Sequence, residues 1–223
     1  MVNAFDLQRG VSHLSSSESS FSTVIRERRS VRKYDPTFKM TQEEIHDIIA
    51  DAVLAPSGSN LQPWRFLVIT DQETKQKLLP VAFNQEQVVT SSAVIAVMAD
   101  LEFYKQAERI YEKSIEAGYM TREAADKLRT NMTGFYASAP AERLLSSVLV
   151  DGGLVSMQLM LAARAKGFDT VPMAGYDVAK FRELMNVPEN YTNVMLIALG
   201  KASEAGHPTT RLDVNDVTYW NQF

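Results

Sequence analysis

Apolar residues recur with two different periods along the 223-residue chain, and these periods predict helices interspersed with a few strands. Spacings of three to four residues predict helices over 21–28, 41–54, 71–79, 101–118, 121–136, 141–166 and 177–185. Apolar or alternating runs predict strands over 65–70, 92–99, 168–172 and 193–199. Helices outnumber strands and most flank them, which predicts an α+β or mixed α/β chain.

Capping signals fix the beginnings of several helices. Thr41 and Glu44 stand at the two ends of a capping box, and Asp71 is placed to cap the helix that follows it. Ser19 or Ser20 would cap the first helix. These side chains predict where the backbone turns from extended to helical.

The segment 141–166 is the longest apolar helix, and its composition predicts burial on most sides. Gly167 suits the residue that ends it. The pair Gly152-Gly153 lowers helix propensity, for which a close helix–helix approach would compensate.

The ends of the chain differ from its centre. Residues 1–20 finish in a serine-rich polar stretch, which predicts a flexible N-terminal extension, and residues 21–223 are interpreted as one domain. After Gly200 the pattern is irregular and carries an aromatic cluster of Tyr219, Trp220 and Phe223. Such a cluster docks either on its own subunit or on a partner.

Composition excludes several classes of chemistry. The chain has no cysteine, so disulfides, thiolate metal sites and thiol nucleophiles are excluded. There is no run of about 18 apolar residues and no signal-peptide pattern at Met1–Asp6, so we predict no membrane span and a cytoplasmic location.

The three histidines offer neither a hydrolytic triad nor a metal site. His13, His46 and His207 lie far apart in the sequence, and no Gly-x-Ser-x-Gly or His-Glu-x-x-His motif accompanies them. Dinucleotide fingerprints and P-loops are also absent. Chemistry supplied by a bound cofactor, with no metal, is the interpretation that remains.

A basic cluster follows the first predicted helix. Arg28, Arg29, Arg32 and Lys33 surround the hydroxyl of Ser30, although the chain carries a net charge of −4. Guanidinium groups hold phosphate oxygens bidentately, so the cluster suits a small anion such as a phosphate monoester. A nucleic-acid partner would need a basic face, which the sequence does not offer. The alternative is a solvated run of charges at a helix end.

A second motif, Pro56-Ser57-Gly58-Ser59-Asn60-Leu61-Gln62-Pro63-Trp64, follows one helix later. Taken alone, it is also consistent with a turn that ends the helix. The ordered pair of motifs resembles the FMN-dependent nitroreductase family from about Phe21 to the C-terminus. The resemblance implies a central mixed β-sheet flanked by helices. It also implies an intertwined homodimer in which the C-terminal segment crosses to the partner subunit.

The resemblance assigns FMN contacts residue by residue. For the phosphate and the ribityl chain it implies Arg28, Arg29, Ser30 and Arg32, joined by the late basic residues Lys201 and Arg211. For the loop that faces the partner's flavin it implies Pro56, Ser57, Gly58, Ser59, Asn60 and Gln62. For the ring it implies Asn84 and Gln87 at the edge, with Pro172, Met173 and Gly175 behind it.

Two positions depart from the family pattern. Gln87 stands where relatives often carry lysine, and Ala174 stands where many carry glutamate. Without the family, Asn84 and Gln87 equally suit a surface helix end, and residues 171–176 a strand-to-helix turn. Phe135 and Tyr136 lie where the substrate-side helix of the family ends, although aromatic residues at helical spacing also suit a core.

The function implied is an FMN-dependent NAD(P)H oxidoreductase. Flavin would carry the chemistry, so no side chain is assigned a catalytic role. NADH or NADPH would reduce it and leave before a small acceptor, such as a nitroaromatic or a quinone, takes the electrons at the same face. The alternative is an FMN-binding reservoir or redox-sensing protein without significant turnover. The scaffold also serves dehalogenases, flavin-fragmenting enzymes and enoate reducers.

Overall fold

A computed structural model describes residues 20–223, so the extension predicted over 1–20 lies, apart from Ser20, outside the described residues, as does His13. The helices are α1 (Phe21–Glu27), α2 (Gln42–Ala52), α3 (Gln72–Val81), α4 (Gln87–Thr90), α5 (Ala107–Glu116), α6 (Arg122–Ala137), α7 (Ala141–Ala165) and α8 (Val178–Leu184). The strands are β1 (Trp64–Ile69), β2 (Ala93–Asp100), β3 (Asp169–Met173) and β4 (Tyr191–Gly200).

The four strands form one sheet in the order β1-β2-β4-β3, and each neighbouring pair is antiparallel. Every residue of β2 is buried, as its continuous apolar run predicts for a central strand. The α+β class is confirmed. Parallel pairing, which a mixed sheet requires, occurs in residues 20–223 only as an isolated bridge between Ser30 and Thr170.

The predicted capping residues make their hydrogen bonds. The Thr41 hydroxyl accepts from the Glu44 amide at 3.1 Å, and the Glu44 carboxylate accepts from the Thr41 amide at 2.8 Å. Asp71 accepts from the Thr74 amide at 2.7 Å, and Ser20 caps α1. The segment predicted as one helix over 101–118 instead opens with a 3₁₀ turn, Phe103–Gln106, before α5 begins.

Helix α7 packs one face on the sheet and leaves the other uncovered. Val155, Leu159 and Ala163 are fully buried against it, whereas Val150 is 62% and Leu154 43% exposed. The prediction that this helix is buried on most sides is therefore wrong for a single chain. By length and composition alone α7 could span a membrane, a test that a core helix passes equally well.

Gly152 lets α7 approach a strand rather than a helix. A Cβ at position 152 would lie 2.5 Å from Cγ2 and 2.9 Å from Cγ1 of Val194 in β4. Only a residue without a side chain fits that distance. At Gly153, by contrast, a Cβ would meet nothing within 4 Å in the described chain. The close packing of α7 on β4 at Gly152 thus compensates for the low helix propensity of glycine.

We expect Gly152→Ala to lower the free energy of unfolding. Overpacking against Val194 costs about 1–3 kcal/mol, more than the gain of about 1 kcal/mol in helix propensity. Thermal unfolding of Gly152→Ala, Val194→Ala and the double variant measures the coupling between the two positions. Gly134→Ala in α6, where a Cβ meets nothing within 4 Å, is the matched control and should stabilise the protein. Additive losses in the cycle would contradict the contact.

Candidate functional site

Two arginines from opposite ends of the described chain converge near the end of α1. Arg28 is the C-cap residue of α1. Burial, followed by the charges of Arg211 and Arg29, lowers the pKa of the Arg28 guanidinium. Within residues 20–223, neither Arg28 nor Arg211 forms an ion pair with a carboxylate. Like charges held together in this way are suited to a shared anion.

The C-terminal segment reaches this place because a glycine lets it cross the chain after α1. A Cβ at Gly206 would lie 2.6 Å from Cβ of Arg29 and 3.2 Å from the Ser30 carbonyl oxygen. Beyond the crossing, the Arg211 guanidinium donates to the Thr209 hydroxyl at 2.8 Å and to the Thr210 carbonyl at 2.7 Å. These two bonds orient Arg211 without neutralising it.

The remaining arginines of the basic cluster point to their own backbone. Arg29 donates to the carbonyls of Arg26 at 2.6 Å and of Arg28 at 2.9 Å, as basic residues at helix ends do. Arg32 donates to the Ser30 carbonyl at 3.5 Å. The structure therefore brings Arg28 and Arg211 together, while the Arg29 side chain is engaged at the end of α1.

The two lysines of this region lie apart from the arginine pair. Lys33 is exposed and pairs with Glu86 at 3.1 Å, in keeping with its place outside the family pattern. The Lys201 ammonium lies 5.7 Å from the centre of the Phe38 ring. Neither lysine is among the neighbouring charges that lower the pKa of Arg28.

A second group of predicted residues meets between α4 and β3. Gln87 is only 5% exposed, and its amide donates to the Gln85 side chain at 2.9 Å and to the Met173 sulfur at 3.4 Å. Gln85 in turn donates to the Gly175 carbonyl at 2.8 Å. The structure thus brings Gln87, Met173 and Gly175 together. Gln85, which joins them, was missed, and its only sequence signal is its place beside Asn84.

Phe83 and Asn84 have the left-handed backbone conformation, which residues other than glycine seldom adopt. Phe83 and Asn84 have φ values of 54° and 57°, and the Asn84 amide donates to the Leu79 carbonyl at 2.9 Å. Pro172 lies in the edge strand β3, where a missing N–H is tolerated. Ala174 follows that strand and is exposed. The 83–84 turn and the end of β3 are joined through Gln85.

The 57–62 loop concentrates backbone strain. Ser59, Asn60 and Gln62 have φ values of 51°, 56° and 47°, around a 3₁₀ turn over Gly58–Asn60. Non-glycine residues in this region cost of order 1–3 kcal/mol each, and such strain concentrates at functional sites. The Ser57 hydroxyl closes the loop by accepting from the Gln62 amide at 3.1 Å.

Three helices hold this loop from behind. The Gly58 amide lies 3.2 Å from each carboxylate oxygen of Asp151 in α7, and burial raises the pKa of that carboxyl. Tyr111 of α5 donates to the Ser59 carbonyl at 3.1 Å, and the Ser59 hydroxyl lies 2.9 Å from the Met132 sulfur of α6. Sequence reasoning missed these anchors. For Asp151 a signal existed, because an acidic residue inside an apolar helix needs a partner.

The loop does not meet the other two groups within one chain. No hydrogen bond in residues 20–223 connects residues 56–62 with residues 84–87, 172–175 or the Arg28–Arg211 pair. This separation is compatible with a loop that serves the partner subunit, which stays a prediction.

The two aromatic residues at the end of α6 divide their roles. Tyr136 is 9% exposed and packs edge-on against Phe103 at 4.7 Å, so it belongs to the core. Phe135 is 44% exposed, with the Arg143 guanidinium 4.8 Å from its ring centre. Of the two rings, that of Phe135 is the one exposed at the surface.

The donors present fit a flavin mononucleotide. The Arg28–Arg211 pair suits its phosphate, whereas the amide N–H groups of the buried Gln87 are directed at Gln85 and Met173 within the chain. Among residues 20–223, the Thr170 hydroxyl is the one buried side-chain oxygen or nitrogen without a hydrogen-bond partner. Thr170 lies on β3, and its backbone forms a bridge with Ser30, which follows Arg28 and Arg29. The same strand leads to Met173.

Comparison with known proteins relates most of the chain to one family. The sequence profile of the nitroreductase family matches residues 25–201. YdgI of Bacillus subtilis (strain 168), which carries the designation NAD(P)H nitroreductase, is 46% identical over 91% of this chain and 98% of its own. The CLA biosynthesis enone reductase of Lactiplantibacillus plantarum is 34% identical over 87% of this chain and 91% of its own.

A solved structure gives the same result for the fold. A nitroreductase-designated protein from Exiguobacterium sibiricum, crystallised in complex with FMN, superposes with a TM-score of 0.88. It is 46% identical, and the match covers 91% of this chain and 98% of that one.

Proposed function

This chain belongs to the nitroreductase family, and from that premise we propose that it acts as a homodimer that transfers electrons from NADH or NADPH to nitroaromatic, quinone or similar acceptors. It is an oxidoreductase of the nitroreductase type that uses FMN and a nicotinamide reductant. The acceptors, the residues that hold FMN and the dimer are our proposals.

The observation that carries the proposal is the meeting of Arg28 with Arg211. The positive charge of Arg211 contributes to lowering the pKa of the half-buried Arg28, and no carboxylate in residues 20–223 forms an ion pair with either guanidinium. Such an arrangement costs free energy unless an anion occupies it. The FMN phosphate is an anion of the required size and charge.

Each remaining residue has a role in binding or orientation. Ser30 and Arg32 follow Arg28 closely in the sequence and would contact the ribityl chain. Asn84 and Gln87 would address the ring edge, while the backbone from Pro172 to Gly175 would lie behind the ring. FMN, when bound, supplies the hydride and electron transfer. No side chain is assigned the role of proton donor, so protons would come from solvent.

The loss of the family's charged residues at two positions has a consequence for the reductant. Gln87 carries no charge, because its amide is neutral, and its N–H groups are directed at Gln85 and Met173. Ala174 offers no carboxylate to the nicotinamide region. We therefore propose that other residues of this chain position the reductant.

A second copy of the chain would cover the exposed surface of α7. Its uncovered face carries large apolar residues, each at least 39% exposed, namely Leu145, Leu149, Val150, Leu154 and Met157. Tyr219, Trp220 and Phe223 in the tail are 62%, 83% and 104% exposed, so in the described chain they do not dock on their own subunit. Apolar surface of this extent marks an interface. We propose that the C-terminal segment crosses to the partner.

Conjugated enones extend the set of acceptors to be tested. The relative from Lactiplantibacillus plantarum is named as an enone reductase, and it covers nearly the whole of this chain. Nitro groups, quinones and enones all accept a hydride or an electron pair at an activated π-system. A mostly apolar ring face with no acid–base constellation suits any of them.

The proposal is tested by an anaerobic visible spectrum of the purified protein before and after addition of NADPH, then NADH. We expect flavin bands that one or both reductants bleach and that menadione, a nitrofuran or an enone restores. With excess reductant and acceptor, many equivalents should turn over. A protein that stays colourless after FMN is added contradicts the cofactor assignment, and a single reduction without turnover favours the reservoir.

A further inference from the structure

A cleft of about 610 Å³ opens beside the 57–62 loop, on the side of α5. Its volume lies within the range of cofactor and small-molecule sites and exceeds what one phosphate needs. Side chains from the loop, from β1, from α5 and from the start of β4 line it, including Asn60, Gln62, Arg65, Arg109, Lys113 and Tyr191. None of the FMN contacts proposed for the phosphate lies in this cleft.

Two cations in the cleft are left without a counter-charge. Arg109 and Lys113 stand one turn apart on α5 and are exposed, and neither forms an ion pair within residues 20–223. Of the three glutamates of α5, Glu108 pairs with Arg129 and Glu112 with Arg122, and Glu116, which forms no ion pair in the described chain, does not line the cleft. On a chain of net charge −4, this spacing concentrates positive charge on one wall.

The opposite wall is electrically satisfied and rigid. Arg65 donates to the Asp100 carboxylate at 2.9 Å, so its charge is compensated. It also donates to the Gln62 carbonyl at 3.2 Å, while Tyr111 of α5 donates to the Ser59 carbonyl at 3.1 Å. These bonds tie the loop both to β1 and to α5. The loop backbone and the helix that carries Arg109 and Lys113 are therefore connected directly.

The chemistry of the cleft matches the phosphate-bearing half of a dinucleotide. A guanidinium and an ammonium recognise phosphate oxygens. The amides of Asn60 and Gln62 add neutral donors, and the rings of Tyr119 and Tyr191 add flat surfaces for a planar base. We propose that this cleft binds the adenosine and phosphate portion of NADH or NADPH.

This inference rests on the proposed function, because it uses the placement of the 56–62 loop at the partner's flavin. Asn60 and Gln62 belong both to that loop and to the cleft. A reductant held by Arg109 and Lys113 would therefore pass the loop and present its nicotinamide to the flavin of the other subunit. The cleft would supply the positioning that Gln87 and Ala174 do not.

The test compares two reductants in the FMN-loaded Arg109→Ala/Lys113→Ala variant. We expect the KM for NADPH or NADH to rise about tenfold to a hundredfold, with kcat unchanged at saturating acceptor. The KM for N-benzyl-1,4-dihydronicotinamide, which has no phosphate, should not change. Lys127→Ala in α6, an exposed lysine outside the cleft, is the matched control.

A binding measurement removes the dependence on turnover. Calorimetric titration with 2′,5′-ADP and with 5′-ADP should show binding to the unmodified protein that the double variant loses and that added salt weakens. Unchanged binding and unchanged KM for NADPH overturn the inference. Equal losses with both reductants, or a raised KM for the acceptor alone, also overturn it. If neither reductant reduces the unmodified protein, the proposed function fails, and the titration alone then decides the cleft.

Discussion

Replacing Arg28 and Arg211 together by alanine is expected to weaken FMN binding by a factor of about 10² to 10⁴. Each charge-assisted hydrogen bond to the phosphate contributes on the order of 1.5–3 kcal/mol, and each 1.4 kcal/mol is about tenfold in the dissociation constant. Neither guanidinium forms an ion pair with a carboxylate in the described chain, so both charges remain available to the phosphate. Fluorescence titration of the apoprotein with FMN measures the change.

Without FMN, the same two substitutions should not destabilise the protein. Arg211 contributes to the lowered pKa of Arg28, which means that the unliganded protein pays for their proximity. Removing one charge relieves that repulsion. The double variant without FMN should therefore melt no lower than the unmodified apoprotein, while the rise in melting temperature that FMN gives is lost.

Lys33→Ala is the control for charge alone. Lys33 lies in the same basic cluster but is exposed and paired with Glu86, so its removal should leave FMN affinity nearly unchanged. If Lys33→Ala weakens FMN binding as much as the double variant does, the effect comes from net charge and not from a built phosphate site. Retention of FMN by the double variant through gel filtration would place the phosphate elsewhere.

What the sequence predicts well is local. The capping box of Thr41 and Glu44 and the N-cap role of Asp71 each depend on residues three positions apart, so the pattern contains the whole interaction. The buried run that became β2 is similarly self-contained, because a strand covered on both faces needs apolar residues at every position.

What it predicts poorly is the partner of each polar side chain. Lys75 occupies a polar helix, yet it is fully buried and donates to the Ser91 carbonyl at 2.7 Å, and burial lowers its pKa to about 8. The sequence predicts Arg29 as a phosphate ligand, but in the structure its guanidinium donates to two carbonyls at the end of α1. In both cases the choice of partner is decided by how helices pack, which no short spacing records.

The exposed face of α7 shows a third limit. Its hydrophobic pattern predicts burial, and burial is absent in the single chain. The pattern counts apolar residues without saying whether they pack within the chain or against another. For Leu149, Val150 and Leu154 we propose packing against a second chain.

Asp151→Ala is expected to lower the free energy of unfolding by about 1–3 kcal/mol and to reduce kcat/KM, because the Gly58 amide loses its acceptor. Three residues of the loop hold left-handed backbone that only its anchors maintain. Asp151→Asn keeps an acceptor oxygen of nearly the same shape and is the matched control. Thermal unfolding, and steady-state kinetics with one electron acceptor such as menadione, distinguish the two variants.

The pH dependence separates the charge of Asp151 from its hydrogen bond. Burial raises the pKa of this carboxyl in the folded protein, so the folded state binds a proton more tightly than the unfolded state. The ionisation of Asp151 therefore costs stability as pH rises from the ordinary value near 3.8 through the raised value, and this cost is constant at higher pH, separate from what the hydrogen bonds to Gly58 contribute. Asp151→Asn has no proton to lose, so its stability relative to the unmodified protein should increase over the same interval and then level off. Urea unfolding of both proteins from pH 4 to pH 8 tests this, and a difference that is constant or decreases with pH would show that Asp151 is held as a stabilised carboxylate.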